Sequence, residues 1–419
     1  MVASSTIANE QLTLQYLQQD EKDRAMFRVS TSDGLTQDLA FSLQYYNPAT
    51  GSDSYPNSDN DPSGAYIFKP MEGDSSKKVY SKFLNIETYQ GTATGVNAFA
   101  VYFRDDDTQE MFTALIRAMP GATTFEWEVQ LHGIPKDGSV VNKKGKEVTV
   151  NWELQGFDNA SLFYTDSNGL EMQQRKLNFR PDFTLVTDEF ASSNYYPINS
   201  AIAMRSDNQQ LTVMNDRSQG GSVLSPGNIE LMQNRRLFYD DWRGVGEALN
   251  ETNDLGVGIE VNTRYFLQLF DFTSTKSMQR QIQLVVDEPV VYFVAQATSE
   301  AIGPQCGAPK VSVPNFNGDL KIHLLPRDRL SVLVRIENLA DLFDGTPDQV
   351  PMFNIEQYAL DLFAANNSDA VDVHITERTL SNNQDYAAMA KEKFVWPTET
   401  GPSPVVYPAD EVPNAIVAL

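Results

Sequence analysis

Short segments of alternating apolar and polar residues recur along the chain, and this pattern most constrains its fold. FEWEVQL at 125–131 alternates strictly, and the same period of two recurs at residues 39–45, 148–154 and 330–336. Successive side chains of a β-strand point to opposite faces, so each segment predicts a strand with one buried and one wet face. Turn-forming clusters such as KDGSVVNKKG at 136–145 separate them. Because helical periodicity is scarce, the pattern predicts an all-β chain of antiparallel sandwiches.

One stretch interrupts this pattern and predicts a domain boundary. Residues 302–318 carry three prolines and three glycines, and a new run of strand-like residues begins at Lys321. Pro and Gly concentrate in connections between elements. The sequence therefore predicts a large β domain over residues 1–305 and a smaller one over residues 306–419.

Charge and hydropathy exclude several classes of partner. The chain has 56 acidic and 32 basic residues, a formal net charge of -24, and would repel the phosphates of nucleic acid or an anionic membrane. No segment approaches the roughly 20 apolar residues of a membrane span. The start MVASSTIANEQL lacks a basic and then apolar region, so no signal peptide is predicted.

Cysteine and glycosylation signals leave the compartment open. Cys306 is the one cysteine, so the chain can form no internal disulfide. Three N-x-S/T sequences make Asn159, Asn250 and Asn366 candidate glycosylation sites. The missing disulfides favour a reducing compartment, whereas the sequons favour the secretory pathway.

No metal or nucleophile motif is visible. His132, His323 and His374 are far apart in sequence, and none belongs to an HxH or HExxH pair that could begin a zinc site. The stretch DNDPSG at 59–64 resembles the opening of a calcium loop, but Pro70 stands at the twelfth position, where a bidentate Glu is needed. The chain also lacks the G-x-S-x-G frame of a hydrolase nucleophile. We therefore expect no metal site and no catalytic residue in this chain.

The stretch YDDWRGVGE at 239–247 is the strongest candidate site. Asp240 and Asp241 would point to opposite faces of a strand, so they do not form a ready acid/base pair. In a loop, a carboxylate can hold Arg243 while the remaining guanidinium donors face a cleft, and Trp242 offers a flat apolar surface. Such a set suits a neutral polyol. The alternative is a structural Asp–Arg brace within a turn.

Several sequence blocks resemble one known family. SGAYIFKP (63–70), FEWEVQLHGIP (125–135), FYTDSNGLEMQQRKLNFRP (163–181) and the run from DRSQGG to RGVGE (216–247) follow one another in the order found in the C-terminal half of family 38 glycoside hydrolases. The resemblance is greatest to the lysosomal acid α-mannosidase group and extends over almost the whole chain.

The resemblance implies a fold and a division of labour. Family members are similar in having an N-terminal α/β catalytic barrel, which holds zinc and an aspartate nucleophile, followed by a β-rich half. That half contains a large antiparallel supersandwich, similar to galactose mutarotase, and then a smaller C-terminal β-sandwich. This chain corresponds to the β-rich half, so zinc would be bound outside it and the isolated chain would be inactive.

The resemblance also implies a function for particular residues. The reaction is retaining hydrolysis of α-mannosides in N-glycans, with the barrel as partner and a mannose oligosaccharide as substrate, in a lysosome or other acidic, secretory compartment. Tyr66 and Arg243 occupy the positions that line the sugar site. Trp242 would add to this wall, while Asp240 and Asp241 would position Arg243.

Three functions stay open at this point. The chain is the C-terminal portion of an α-mannosidase, a stand-alone carbohydrate-binding module, or a structural domain. In the third case, an exposed docking face could lead the chain to form homo-oligomers.

Overall fold

The computed structural model describes residues 5–50, 61–71, 78–104, 111–134, 145–273, 279–294, 320–328, 331–339, 354–364, 373–394 and 417–418. The chain divides into two compact units, Met1–Ser277 and Met278–Leu419. The boundary predicted between residues 305 and 306 lies outside the described residues and stays a prediction. Cys306 and Asn366 also lie outside them.

The first unit is built from two large antiparallel sheets. In spatial order, sheet A consists of β1 (Thr6–Ala8), β2 (Leu12–Gln19), β3 (Ala25–Thr31), β4 (Thr36–Tyr46), β9 (Lys146–Leu154), β16 (Asn228–Arg236), β15 (Gln219–Ser225) and β12 (Tyr196–Ile198). Sheet B consists of β5 (Lys78–Gln90), β6 (Asn97–Arg104), β7 (Met111–Ala118), β8 (Phe125–Leu131), β17 (Val261–Asp271), β14 (Gln209–Asn215), β13 (Ala201–Ser206), β10 (Leu162–Ser167) and β11 (Glu171–Lys176).

Two further features complete this unit. The first residues of β5 pair with β4, and the rest of β5 pairs with β6, so one strand belongs to both sheets. A short helix, α1 (Phe190–Ser193), precedes β12. The all-β class predicted from the sequence is confirmed.

A slab of aromatic side chains fills the space between the sheets. Phe125, Trp127, Val129 and Leu131 of β8 are buried, whereas the residues between them are partly or fully exposed, as the alternation predicts. The ring of Trp127 lies 4.6 Å from that of Phe41 and 6.2 Å from that of Trp152. Large rings in edge-to-face or tilted contact contribute much of the stability of such a core.

Strand β9 departs from the prediction of one wet face. Its apolar residues are buried as expected, but Glu147, Thr149 and Asn151 on the opposite face are buried as well. Ser63 lies over one end of this face and donates a hydrogen bond to Glu147, and the Asn151 amide donates to the Thr149 hydroxyl. Period two correctly predicts the strand, but the wet face is wrong here because another segment of the chain covers part of it.

The described residues of the second unit form a small antiparallel sheet and three helices. Its strands are β18 (Leu320–Pro326), β19 (Val332–Asn338) and β20 (Val417–Ala418), which confirms the strand predicted near residues 330–336. The helices are α2 (Gln279–Asp287), α3 (Ile355–Ala364) and α4 (Tyr386–Glu392), and the alternation analysis did not predict them. Tyr358 of α3 packs in a small core with residues of the sheet. Among the described residues, no helix is long and apolar enough to span a bilayer.

Candidate functional site

The candidate site lies on the loop over residues 237–260, which connects β16 to β17. Trp242 has a φ of +61°, a left-handed conformation that is uncommon for residues other than glycine. Gly244 and Gly246 follow with φ values of +131° and +76°. This backbone turns the Asp241 side chain into the protein, where it is fully buried, while Trp242 and Arg243 remain about half exposed.

The buried Asp241 carboxylate joins this loop to residues 61–71, a second segment distant in sequence. One oxygen, Oδ2, accepts hydrogen bonds from the backbone N–H groups of Tyr66 at 2.5 Å and Ile67 at 2.9 Å. The other oxygen, Oδ1, accepts from the backbone N–H of Arg243 at 3.2 Å. Because one carboxylate binds all three, Tyr66 and Arg243 are held near each other. The Tyr66 side chain is 65% exposed.

The Arg243 guanidinium pairs with Asp61, a residue not included in the predicted site. Its Nη2 donates to Asp61 Oδ2, and the Asp61 carboxylate is almost fully buried. The sequence analysis expected Asp240 and Asp241 to position Arg243. Asp241 does so through the backbone alone, and the carboxylate that binds the guanidinium is Asp61. Asp61 belongs to the stretch at 59–64 that was considered as a calcium loop and rejected, and no sequence pattern linked it to Arg243.

Arg235 of β16 also binds segment 61–71 and holds it next to β9. Its Nη2 donates to the backbone carbonyl of Ile67 at 2.6 Å and to the Glu147 carboxylate at 2.8 Å. The Ser63 hydroxyl donates to the same Glu147 oxygen at 2.7 Å. Burial raises the pKa of the Glu147 carboxyl, while Arg235 and Ser63 act in the opposite direction. Nothing in the sequence pattern pointed to this buried pair.

A further buried carboxylate, Glu230, fixes the part of segment 61–71 around Phe68. Glu230 accepts hydrogen bonds from the hydroxyls of Tyr46 at 2.8 Å and Tyr195 at 2.6 Å. Burial, together with the charge of Glu230, raises the pKa of both tyrosines, so they remain protonated donors. The Phe68 ring packs against both tyrosine rings, with centroids 5.3 and 4.7 Å away. The segment that carries Tyr66 is thus fixed from two sides.

Gly64 lies against Asp241 with no room for a side chain. A Cβ atom at this position would lie 2.5 Å from Asp241 Cβ. We expect Gly64→Ala to lower the free energy of unfolding of the first unit by about 1–3 kcal/mol, because overpacking forces the backbone apart. Urea unfolding followed by tryptophan fluorescence measures this loss.

A double variant separates this clash from other effects of Gly64→Ala. Asp241→Gly removes the clashing atom, so the two changes together should cost less than the sum of the single losses. Strict additivity would contradict the assigned contact.

His132 does not contribute to this site. His132 lies 3.5 Å from Glu260 in an ion-pair geometry, and the described part of the chain has no group of three His, Cys, Asp or Glu side chains placed to hold a metal. The residues present therefore do not fit a zinc ion.

Two of the three candidate glycosylation sites can be placed. Asn159 is a poor acceptor in the folded chain, because it is buried and its amide donates to the carbonyl of Leu162 at 2.7 Å. Asn250 is exposed.

Comparison with known families places this β-rich chain in a class, the C-terminal part of a glycoside hydrolase. Residues 7–243 match the family described as glycosyl hydrolases family 38 C-terminal domain, and the match includes segment 61–71 and the loop as far as Arg243. The chain therefore belongs to glycosyl hydrolase family 38, as the sequence resemblance indicated.

Known relatives agree with this membership. The chain is 32% identical over 424 residues to the lysosomal alpha-mannosidase of Bos taurus, covering 95% of this chain and 38% of that protein. It is 26% identical over 406 residues to the lysosomal alpha-mannosidase of Dictyostelium discoideum, covering 94% and 37%. A solved family 38 structure from Enterococcus faecalis has a TM-score of 0.50 and 14% identity, over 80% of this chain and 38% of that one, and supports the fold alone. The chain spans little more than a third of the length of these relatives.

Proposed function

We propose that this chain is the C-terminal portion of a retaining, zinc-dependent α-mannosidase that hydrolyses α-mannosides of N-glycans. It supplies one wall of the sugar site, and an N-terminal catalytic barrel supplies the zinc ligands, the nucleophile and the acid/base. The observation that carries this proposal is the buried Asp241 carboxylate, which holds the exposed residues Tyr66, Trp242 and Arg243 on two distant segments in one place.

The side chains of this wall suit a neutral sugar. The Arg243 charge is balanced by Asp61, so its outward N–H groups can donate to hydroxyls without attracting an anion. Tyr66 and Trp242 present amphipathic rings that can pack on a sugar and still bind water or hydroxyls at their polar ends.

The same contacts occupy Asp61 and Asp241, the buried carboxylates that bind Arg243. Retaining hydrolysis requires two carboxyl groups about 5–5.5 Å apart, one of them a nucleophile. Asp61 and Asp241 are buried and bind Arg243 and backbone N–H groups. The catalytic pair would therefore come from the barrel, and the isolated chain would be inactive.

The loop that carries the site also has an apolar surface suited to docking the barrel. Val245, Leu255, Val257 and Ile259 are exposed, with Leu255 at 86%. Apolar side chains clustered on an exposed loop commonly mark an interface with another protein or domain.

We place this function in a lysosome or a similar acidic compartment. The relatives that carry the lysosomal name support this.

Hydrolysis of a chromogenic α-mannoside tests the proposal. The purified chain alone should give no turnover at acidic pH, and addition of the N-terminal portion of a family 38 α-mannosidase should give turnover that a zinc chelator abolishes. In that complex, Arg243→Ala should lower kcat/KM about 10–100-fold, since a hydrogen bond from a charged group contributes about 1.5–3 kcal/mol. Arg28→Ala, at an exposed pair with Asp38, is the matched control.

Two outcomes would contradict the proposal. Chelator-sensitive turnover by the chain alone would show that a complete site exists within it. Unchanged turnover with Arg243→Ala in the complex would show that the loop is not part of the sugar site.

A stand-alone carbohydrate-binding module is the second candidate, favoured by the exposure of Trp242 and Tyr66. It predicts heat of binding with mannose or mannobiose that Trp242→Ala abolishes. Calorimetry without such a signal argues against it.

A further inference from the structure

The outer face of sheet B contains a trough whose lining residues do not belong to the candidate site described above. It has a volume of about 430 Å³ and lies across β5 to β8, on the face directed away from the core. A cavity of this size is within the range of small-ligand sites in proteins. Its lining residues are Tyr89, Val96, Ala98, Ala100, Thr113, Leu115, Arg117, Glu128 and Gln130.

The register of the strands explains the shape of the trough. Ala98 and Ala100 stand on the central strand β6, where they pair with Tyr89 and Glu87 of β5 on one side and with Arg117 and Leu115 of β7 on the other. Small side chains on one strand between longer ones on its neighbours leave a channel along that strand. From Val96 to Ala100 the channel runs for about 13 Å, at about 3.3 Å per residue.

The charges that line the trough cancel locally. Arg117 binds Glu126 at 3.1 Å and Glu128 at 2.5 Å, and Glu128 also accepts a hydrogen bond from Asn262 at 2.7 Å. A cation held between two carboxylates does not attract an anionic ligand such as a phosphate. The lining still offers guanidinium and amide donors, carboxylate acceptors and the Thr113 hydroxyl.

One wall of the trough is an aromatic ring that is fixed but open to solvent. Tyr89 is half exposed, and its hydroxyl donates to Glu87 at 2.5 Å. Tyr102 donates to the same carboxylate oxygen at 3.1 Å. Tyr89 is therefore tethered by its hydroxyl, and its ring remains available for packing on an apolar ligand face.

We infer that this trough is a carbohydrate-binding site for a neutral oligosaccharide of about two sugar units. The methyl groups of its alanine floor and the Tyr89 ring contact the C–H faces of the sugars. The Arg117, Glu128, Gln130 and Thr113 side chains exchange hydrogen bonds with the hydroxyls. The site lies on sheet B, whereas the loop of Tyr66 and Arg243 follows sheet A, so this inference does not depend on the proposed function.

Titration of the full chain with mannobiose, followed by calorimetry and by NMR of the labelled protein, tests the inference. We expect saturable binding with a Kd of about 0.1–10 mM, the range of an open site with few hydrogen bonds. Tyr89→Ala should weaken binding at least tenfold. Ala100→Leu, which fills the floor of the trough, should abolish it. Both positions lie on the outer face, so circular dichroism and thermal unfolding should show a folded protein in each case.

Arg28→Ala, at an exposed pair on sheet A, serves as the control and should leave this binding unchanged. Binding that Trp242→Ala abolishes, but that Tyr89→Ala and Ala100→Leu leave intact, would overturn the inference and assign the sugar to the loop site. Absence of saturable binding by the folded chain would also overturn it, as would self-association that Ala100→Leu prevents, because a second copy would then occupy the trough. None of these outcomes affects the turnover measured with the catalytic portion on a small mannoside, so the two proposals fail separately.

Discussion

Replacing Arg235 by Met should lower the free energy of unfolding of the first unit by about 3–5 kcal/mol at neutral pH. The variant keeps an unbranched apolar side chain but leaves the buried Glu147 carboxylate without its cation, and removal of one partner from a buried pair has costs of this size. It also removes the donor that holds the carbonyl of Ile67. Chemical denaturation followed by tryptophan fluorescence measures the loss.

The loss of stability in Arg235→Met should be smaller at acidic pH than at neutral pH. Burial already raises the folded-state pKa of Glu147 above its unfolded value, and loss of Arg235 raises it further. The folded variant then binds a proton that the unfolded chain has released, so its stability falls as the pH rises through this interval and recovers on acidification. The destabilisation should therefore shrink towards about pH 5, near the ordinary carboxyl range.

Two control variants test whether the loss in Arg235→Met arises from the buried charge of Glu147. Arg28→Met breaks an exposed pair with Asp38 and should cost at most about 1 kcal/mol. Arg235→Met combined with Glu147→Gln removes the buried charge and should flatten the pH dependence. A loss from Arg235→Met that stays the same between neutral and acidic pH would contradict the role assigned to Glu147.

Asp241→Ala should cost about 2–4 kcal/mol and release segment 61–71 from the loop. The carboxylate accepts three backbone N–H groups, and each buried donor left without an acceptor costs about 1–3 kcal/mol, reduced here because Tyr66 can regain water. Hydrogen exchange should accelerate at the amides of Tyr66 and Ile67.

Glu247→Gln is the matched control, because Glu247 is exposed on the same loop. It should leave both stability and exchange unchanged. Unaltered protection of Tyr66 and Ile67 in Asp241→Ala would show that the remaining contacts of the segment hold it without Asp241.

The sequence predicted the strands better than their arrangement. The segments at 39–45, 125–131 and 148–154 are strands because period two is a local property of the chain. The pairing of Phe41 with Trp152 joins residues more than 100 positions apart, and no local pattern specifies it. The helices of the second unit were missed because they are short and their apolar residues resemble strand residues.

For the candidate site too, the sequence indicated residues that are local in the chain but not their tertiary partners. Tyr66, Asp241, Trp242 and Arg243 came from a conspicuous loop and a family resemblance, and the structure brings them together through one carboxylate. Asp61 was not identified as the partner of Arg243, because the pair forms through the tertiary fold. Asp240 and Asp241 stand next to Arg243 in sequence, and proximity in sequence was a poor guide to which carboxylate binds its side chain.

The position of β17 sets a lower limit on the fragment that can exist as a soluble domain. The family match ends at residue 243, yet β17 lies between β8 and β14 in the middle of sheet B and pairs with both. A fragment cut at the end of the match would therefore expose two unpaired strand edges and the buried side of a large apolar core. Such edges are templates for intermolecular pairing, so the conserved sequence domain, expressed by itself, would form insoluble aggregates.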